Sequence, residues 1–190
     1  MKRSEINHLI EAATKCFEAH GWALPPKPKW DVTDFGLGDW RTSGLVLVNL
    51  AEEPEYCEKL MYAQKGMATP SHCHRQKKED IISRWGTLRI HLWPTDPRFA
   101  EAGKPFTVQV NGEPRQVITG SHIDLTPGER ITLTQGIYHE FAPVTDECII
   151  GEVSTANDDQ TDNYFSNPQV GRYPGIQEDA LPIVLLISDK

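Results

Sequence analysis

The sequence predicts a mainly β protein, an antiparallel sandwich or barrel preceded by a single helix. Three observations carry this. Residues 4–20 place apolar side chains at helical spacing on one face. From residue 44 onward, short β-rich runs alternate with turn residues. The 190 residues include 14 Gly and 14 Pro, slightly above average usage and suited to a chain with many turns. At this length a single domain spanning residues 1–190 is expected, and roughly 70% of the unfolded surface can be buried without staples.

In the leading helix, about residues 4–20, Ser4 is the expected N-cap and Gly21 the residue that ends it. Ile6, Leu9, Ile10, Ala13 and Phe17 form its apolar face, which should pack on the main body. Leu24-Pro25-Pro26-Lys27-Pro28 stops the helix, and residues 25–43, with Trp30, Phe35 and Trp40, read as irregular but too apolar for a free linker. The β region then occupies about residues 44–190. Its expected strands are Gly44–Leu50, Tyr56–Gln64, Thr87–Trp93, Phe106–Val110, Arg115–Ile118, His122–Leu125, Ile131–Leu133, Glu140–Val144, Glu147–Ser154 and Leu181–Ile187. Asn111-Gly112 is a strong two-residue hairpin signal, and Pro127-Gly128 marks a second tight turn.

Composition excludes several function classes. Lys and Arg number 19 against 27 Asp and Glu, a formal charge of −8, which suits neither a phosphate-backbone binder nor a protein drawn to an anionic membrane surface. No apolar run is long enough to span a bilayer, and no apolar segment follows the basic start Met1-Lys2-Arg3 as a secretion signal would require. Cys16, Cys57, Cys73 and Cys148 are scattered and form no CxxC, so four reduced thiols in a cytoplasmic protein are expected.

The segment with chemistry runs from Gly66 to Gly86 and has the skeleton G-x5-H-x-H-x4-E-x6-G. Residues two apart on a strand share a face, so His72 and His74 can turn two imidazoles into one cavity. Glu79 follows the short turn Arg75–Lys78 and can return facing the same cavity. Two imidazoles and a carboxylate suit a first-row divalent metal and leave positions for a substrate. His139, in Gly128-x7-Gly136-x2-His139, is the candidate fourth ligand. A bare HxH is a weak signal, and two surface histidines are its ordinary alternative. The framing glycines, the spaced Glu and the downstream GxxH favour the metal site. His8, His20, His91 and His122 lack such partners.

The first segment matches the first motif of the cupin family, and the second resembles the cupin second motif, G-x5-P-x-G-x2-H-x3-N, with Thr134 in place of Pro and Pro143 in place of Asn. The resemblance implies a jelly-roll β-barrel, commonly dimeric, with one divalent metal on His72, His74, Glu79 and His139. A narrower likeness covers most of the chain. The run Ile149–Asn163, Lys59 and the opening helix resemble cupin-type D-lyxose ketol-isomerases. Those enzymes interconvert D-lyxose and D-xylulose, often D-mannose and D-fructose as well, and prefer Mn²⁺. The resemblance therefore implies a monosaccharide substrate.

Aldose–ketose isomerisation needs a base for a carbon-bound proton and a partner for the developing enediolate oxygens. Glu152 is the candidate base, with burial expected to raise its pKa toward neutrality; a solvated strand-edge Glu is the alternative. Lys59 would bind a sugar hydroxyl or carry the O1/O2 proton, although most lysines are surface residues. Asp162 and Asn163 would hydrogen-bond sugar hydroxyls near the mouth, or belong to the turn that begins at Asn157-Asp158-Asp159. Arg172 and Tyr173 are weaker candidates for the mouth. The competing readings are a cupin dioxygenase using the same ligands with Fe²⁺, and a non-catalytic sugar-binding cupin. The second needs no Lys59 and Glu152 flanking the metal.

Overall fold

Helix α1, Arg3–Ala19, buries Ile6, Leu9, Ile10, Ala13, Cys16 and Phe17 on one face. It closes on Gly21 at φ +77°, where Trp22 N–H reaches the Phe17 carbonyl at 2.9 Å in a Schellman-type ending. A computed structural model describes residues 1–155, 158, 161–171 and 175–189. The helix cap falls at Lys2 rather than Ser4. Ser4 is instead drawn to the C-terminal segment, where its N–H and hydroxyl donate to the Asp179 carboxylate at 2.9 and 2.7 Å.

The strands, in chain order, are β1 (Lys29–Thr33), β2 (Leu45–Glu52), β3 (Tyr56–Gln64), β4 (His72–Cys73), β5 (Glu79–Trp85), β6 (Leu88–Trp93) and β7 (Pro105–Val110). They continue with β8 (Glu113–Ile118), β9 (His122–Leu125), β10 (Arg130–Leu133), β11 (Tyr138–Pro143), β12 (Glu147–Thr155) and β13 (Tyr164–Phe165). One sheet has the order β1-β2-β3-β12-β5-β10-β7-β8, the other β13-β4-β11-β6-β9, and the paired strands are antiparallel. The crossings between non-consecutive strands are those of a jelly roll. The expected barrel is therefore realised as two facing sheets that do not close.

Period-two alternation divides the large sheet between two layers. Trp30, Val46 and Tyr62 are buried on the face that meets the helix, where Phe17 stacks on Trp30 with centroids 6.3 Å apart and meets Tyr62 edge-on at 6.4 Å. Burying a side chain of this size contributes about 1.5–3 kcal/mol. The opposite face carries Asp31, Thr33, Leu47, Lys59, Met61 and Ile81 into the space between the sheets. The Asn111-Gly112 hairpin forms as expected, with φ +54° and +82° as a type I′ turn requires. The four cysteines are buried and free.

Two further expectations fail. Residues 25–43 are not wholly irregular, because β1 pairs with β2 along its length. Its alternation is masked in the sequence by Asp31 and the surrounding Pro and Gly. Leu181–Ile187 is not a strand; a single bridge from Leu186 to Trp30 joins it to the sheet. Residues 177–189 wrap the helix start instead. Arg3, only 2% exposed, donates to Glu178 at 2.9 and 2.7 Å and to Asp189 at 2.9 and 2.6 Å.

Arg3→Ala takes the guanidinium from the Asp189 carboxylate, which keeps the Leu186 N–H as a donor. The expected loss is roughly 1–3 kcal/mol, the range for hydrogen bonds to charged groups, read as a lower urea midpoint at unchanged slope. An unchanged midpoint contradicts this account of the clamp.

Candidate active site

Cross-strand register brings the site together. Glu152 of β12 lies between Lys59 of β3 and Ile81 of β5, and Glu79 of β5 pairs with Ser154 one row along. Lys59, Glu79 and Glu152 therefore share the inner face of the large sheet. On the facing sheet, His72 pairs with His139 on one side and Phe165 on the other. His74 lies two residues beyond His72. Gly66 and Gly86 frame the segment at φ +99° and +75°, and a Cβ on Gly86 would lie 2.3 Å from the Glu147 carbonyl oxygen. Only glycine fits there.

The ligand atoms offered by His72, His74 and His139 lie within 4.8 Å of one another. Each Nδ1 contacts a backbone carbonyl: Pro70 at 2.8 Å, Asp162 at 2.9 Å and Ile137 at 3.2 Å. A carbonyl only accepts, so each Nδ1 carries a proton, and in the neutral ring this leaves Nε2 to present a lone pair. Glu79 Oε1 lies 3.3 Å from His74 Nε2 and 3.1 Å from His139 Nε2. Among the described residues these three buried atoms have no hydrogen-bond partner. Converging lone pairs without a donor are costly unless a cation lies among them. Imidazole and carboxylate donors fit a divalent first-row ion.

The electrostatics extend past the histidines. Lys77 Nζ lies 2.7 Å from Glu79 Oε2 and 2.9 Å from Glu152 Oε1, and Lys59 Nζ lies 3.1 Å from the same Glu152 oxygen. Burial pushes both carboxyls up. Lys77 and the histidines outweigh it at Glu79, holding it well below the usual carboxylate range. Lys59 and Lys77 do the same at Glu152. The expectation that burial raises Glu152 toward neutrality is thus corrected: two adjacent ammonium groups keep it ionised. Lys77 is itself raised by both carboxylates against the opposing effect of burial. Burial, then His139 and His74, lower the His72 pKa well below its ordinary value, so the ring stays neutral.

The structure brings together His72, His74, Glu79, His139, Lys59 and Glu152, and places Asn163 on the same cavity wall. Asp162 is placed differently. Its buried carboxylate accepts backbone N–H bonds from Arg75 at 2.8 Å, Gln76 at 3.0 Å and Lys77 at 2.9 Å. It shapes the turn that aims Lys77, while its carbonyl orients His74; its carboxylate does not stand on the cavity wall. Asn157, Asp159, Arg172 and Tyr173 lie outside the described residues. Lys77 was absent from the expected site because a Lys in a short turn is ordinarily solvated. Its signal was parity: Lys77 stands two residues before Glu79, where β5 begins, and alternation extended back from Ile81 and Glu79 turns it to the same side.

The D-lyxose isomerase family profile matches residues 27–190. A D-lyxose/D-mannose isomerase of Escherichia coli O157:H7 is 34% identical, with 100% of this chain and 98% of that protein covered. A D-lyxose ketol-isomerase of Cohnella laeviribosi is 29% identical, with 94% of this chain and 100% of that protein covered. Among solved structures, an L-ribose isomerase of Cellulomonas parahominis superposes with a TM-score of 0.69 at 16% identity, covering 93% of this chain and 98% of that one. That likeness is one of fold. Among the described residues, no helix is long and apolar enough to cross a membrane.

Two outcomes follow from the site's geometry. Asp162→Ala removes the acceptor for three N–H groups beside His74, so affinity for a divalent first-row ion measured by calorimetry should fall about 10–100-fold, as for lost support around metal ligands. Unchanged affinity would refute the positioning role. His72 has its folded pKa below its unfolded one, so the unfolded state binds the extra proton as pH falls. The urea midpoint of metal-free protein should therefore drop as pH is lowered through about 6.5. A flat midpoint from pH 7.5 to 5.5 contradicts the buried neutral ring.

Full-length coverage at 34% identity and the profile match across residues 27–190 lead to one conclusion: the chain belongs to the D-lyxose isomerase family and is a sugar isomerase.

Proposed function

We propose that this enzyme is a metal-dependent aldose–ketose isomerase that interconverts D-lyxose and D-xylulose, with D-mannose and D-fructose as a second pair, by proton transfer through an enediol. The observation that carries the reading is the continuous buried chain from His139 and His74 through Glu79, Lys77 and Glu152 to Lys59. His72, His74, Glu79 and His139 would hold the ion, with Mn²⁺ as the preferred metal. A divalent ion there supplies Lewis-acid stabilisation of charge developing on the sugar's first two oxygens.

Glu152 is the base in this reading. Lys59 and Lys77 both donate to its Oε1, which leaves Oε2 free of any hydrogen bond to the described residues. Its ionised state leaves the oxygen able to take the C2 proton of the aldose and return it to C1. A base with a low pKa is a weak one in water, so its effect must come from positioning against the carbon. Lys59 binds a sugar hydroxyl or carries the O1/O2 proton. Asn163 hydrogen-bonds the distal hydroxyls. A binding module has no need of two buried lysines on a buried carboxylate, and this sets the catalytic reading above the sugar-binding one. The reading also includes a homodimer in the cytoplasm.

Glu152→Gln preserves shape and removes basicity. The expected result is a kcat lower by at least roughly 10²-fold with metal content retained. A near-normal kcat removes Glu152 from the mechanism. Chelation should abolish activity and Mn²⁺ restore it; full activity in verified metal-free protein contradicts the metal assignment.

A further inference from the structure

Phe35 has no role in the mechanism above, yet it holds an unusual backbone at the cavity. Its φ is +54°, a left-handed value that a bulky side chain rarely adopts. The turn is specified without the ring. Phe35 N–H donates to Thr33 Oγ1 at 2.8 Å, Gly36 N–H donates to Asp34 Oδ1 at 2.9 Å, and the Phe35 carbonyl accepts Gly171 N–H at 2.8 Å. A glycine would make the same backbone bonds at lower strain. The aromatic side chain therefore serves something other than the turn: it packs against the apolar core and faces the cavity.

The ring lines the cavity that holds the histidines. It meets Phe165 edge-on at 6.3 Å, and the Phe165 ring lies 5.4 Å from that of His72. An aromatic wall thus runs outward from the imidazoles, and β1 places Asp31 and Thr33 among the polar groups lining the same cavity. A sugar held at the histidines by its first two oxygens extends its distal carbons along Phe165 toward Phe35. Its C–H groups suit that wall and its hydroxyls suit the polar groups.

We infer that Phe35 is a specificity-determining residue that closes the distal end of the cavity and favours five-carbon over six-carbon aldoses. The inference rests on the isomerase reading, which places the reacting end of the sugar at His72, His74 and His139. A hexose carries one further CH₂OH at the end where the Phe35 ring stands. A pentose ends short of the ring or against it.

The test compares wild type with Phe35→Gly and Phe35→Leu, each as the metal-loaded enzyme. Steady-state kinetics give kcat/KM for D-mannose relative to D-lyxose. Calorimetry gives the ratio of dissociation constants for the matching alditols, D-mannitol and D-arabinitol, which bind without turnover. Phe35→Gly should keep or raise the melting temperature, because it relieves the positive φ. It should shift both ratios toward the six-carbon compound by at least roughly 10-fold, the lower range for one carbon's worth of fit. Phe35→Leu should shift them less in the same direction and guards against failure of the glycine variant to fold. Ratios within twofold of wild type in both variants, or equal losses for both chain lengths, overturn the assignment. A wild type that binds the alditols and turns over neither sugar overturns the isomerase reading, and the alditol ratio then decides the wall. A wild type that neither binds nor turns over any of them overturns both.

Discussion

Two ionised carboxylates lie in the middle of an apolar sandwich, and the site depends on what makes that tolerable. An isolated buried carboxylate would take up a proton instead. Glu79 and Glu152 stay charged because Lys77 reaches both and Lys59 reaches the second. Removing one partner of such a set leaves an uncompensated charge and costs far more than the pair contributes. The lysines thereby serve the histidines indirectly. An ionised Glu79 completes a donor set of one carboxylate and three imidazoles, and the three backbone carbonyls at Nδ1 orient the rings.

Sheet register delivers this arrangement. Moving β12 by one residue against β3 would turn Glu152 out of the inter-sheet space and bring Gly151 or Val153 in. The His72–His139 pair is likewise a direct cross-strand contact, so two candidate ligands far apart in sequence are fixed by one row of the small sheet. The helix supports this from the other side, since Phe17 packs on Trp30 and Tyr62 of the strands whose inner faces carry Asp31 and Lys59. Arg3 ties the helix start to residues 178 and 189, so both chain ends brace the sheet that carries Glu152.

Much of this was legible in the sequence, for physical reasons that also explain the misses. The HxH pair, Glu79 and His139 were readable as candidate ligands because residues two apart in an extended chain share a side, and Gly66 and Gly86, which frame the first three, occupy positions where a Cβ would collide. The helix and the Asn111-Gly112 hairpin follow from local periodicity and backbone preference. Lys77 was missed, and Asp162 was assigned to the sugar ahead of its turn alternative, because their roles are tertiary. A turn lysine is buried here only because two carboxylates from different strands meet it, and a turn aspartate closes a loop almost ninety positions away. The pKa of Glu152 went the wrong way for the same reason, since burial is predictable from an apolar strand and the ammonium pair is not. Leu181–Ile187 has strand composition, but the chain spends that stretch on the helix start.

The account turns on a carboxylate that moves a proton between adjacent sugar carbons. Isomerisation of D-lyxose in D₂O, followed by NMR of both sugars, tests it most directly. Proton transfer through Glu152 predicts deuterium at C1 of the D-xylulose and at C2 of the recovered D-lyxose, since a carboxyl proton exchanges with solvent during some turnovers. Complete isomerisation with no deuterium on either carbon would contradict the account, because it would favour direct passage of the hydrogen from carbon to carbon.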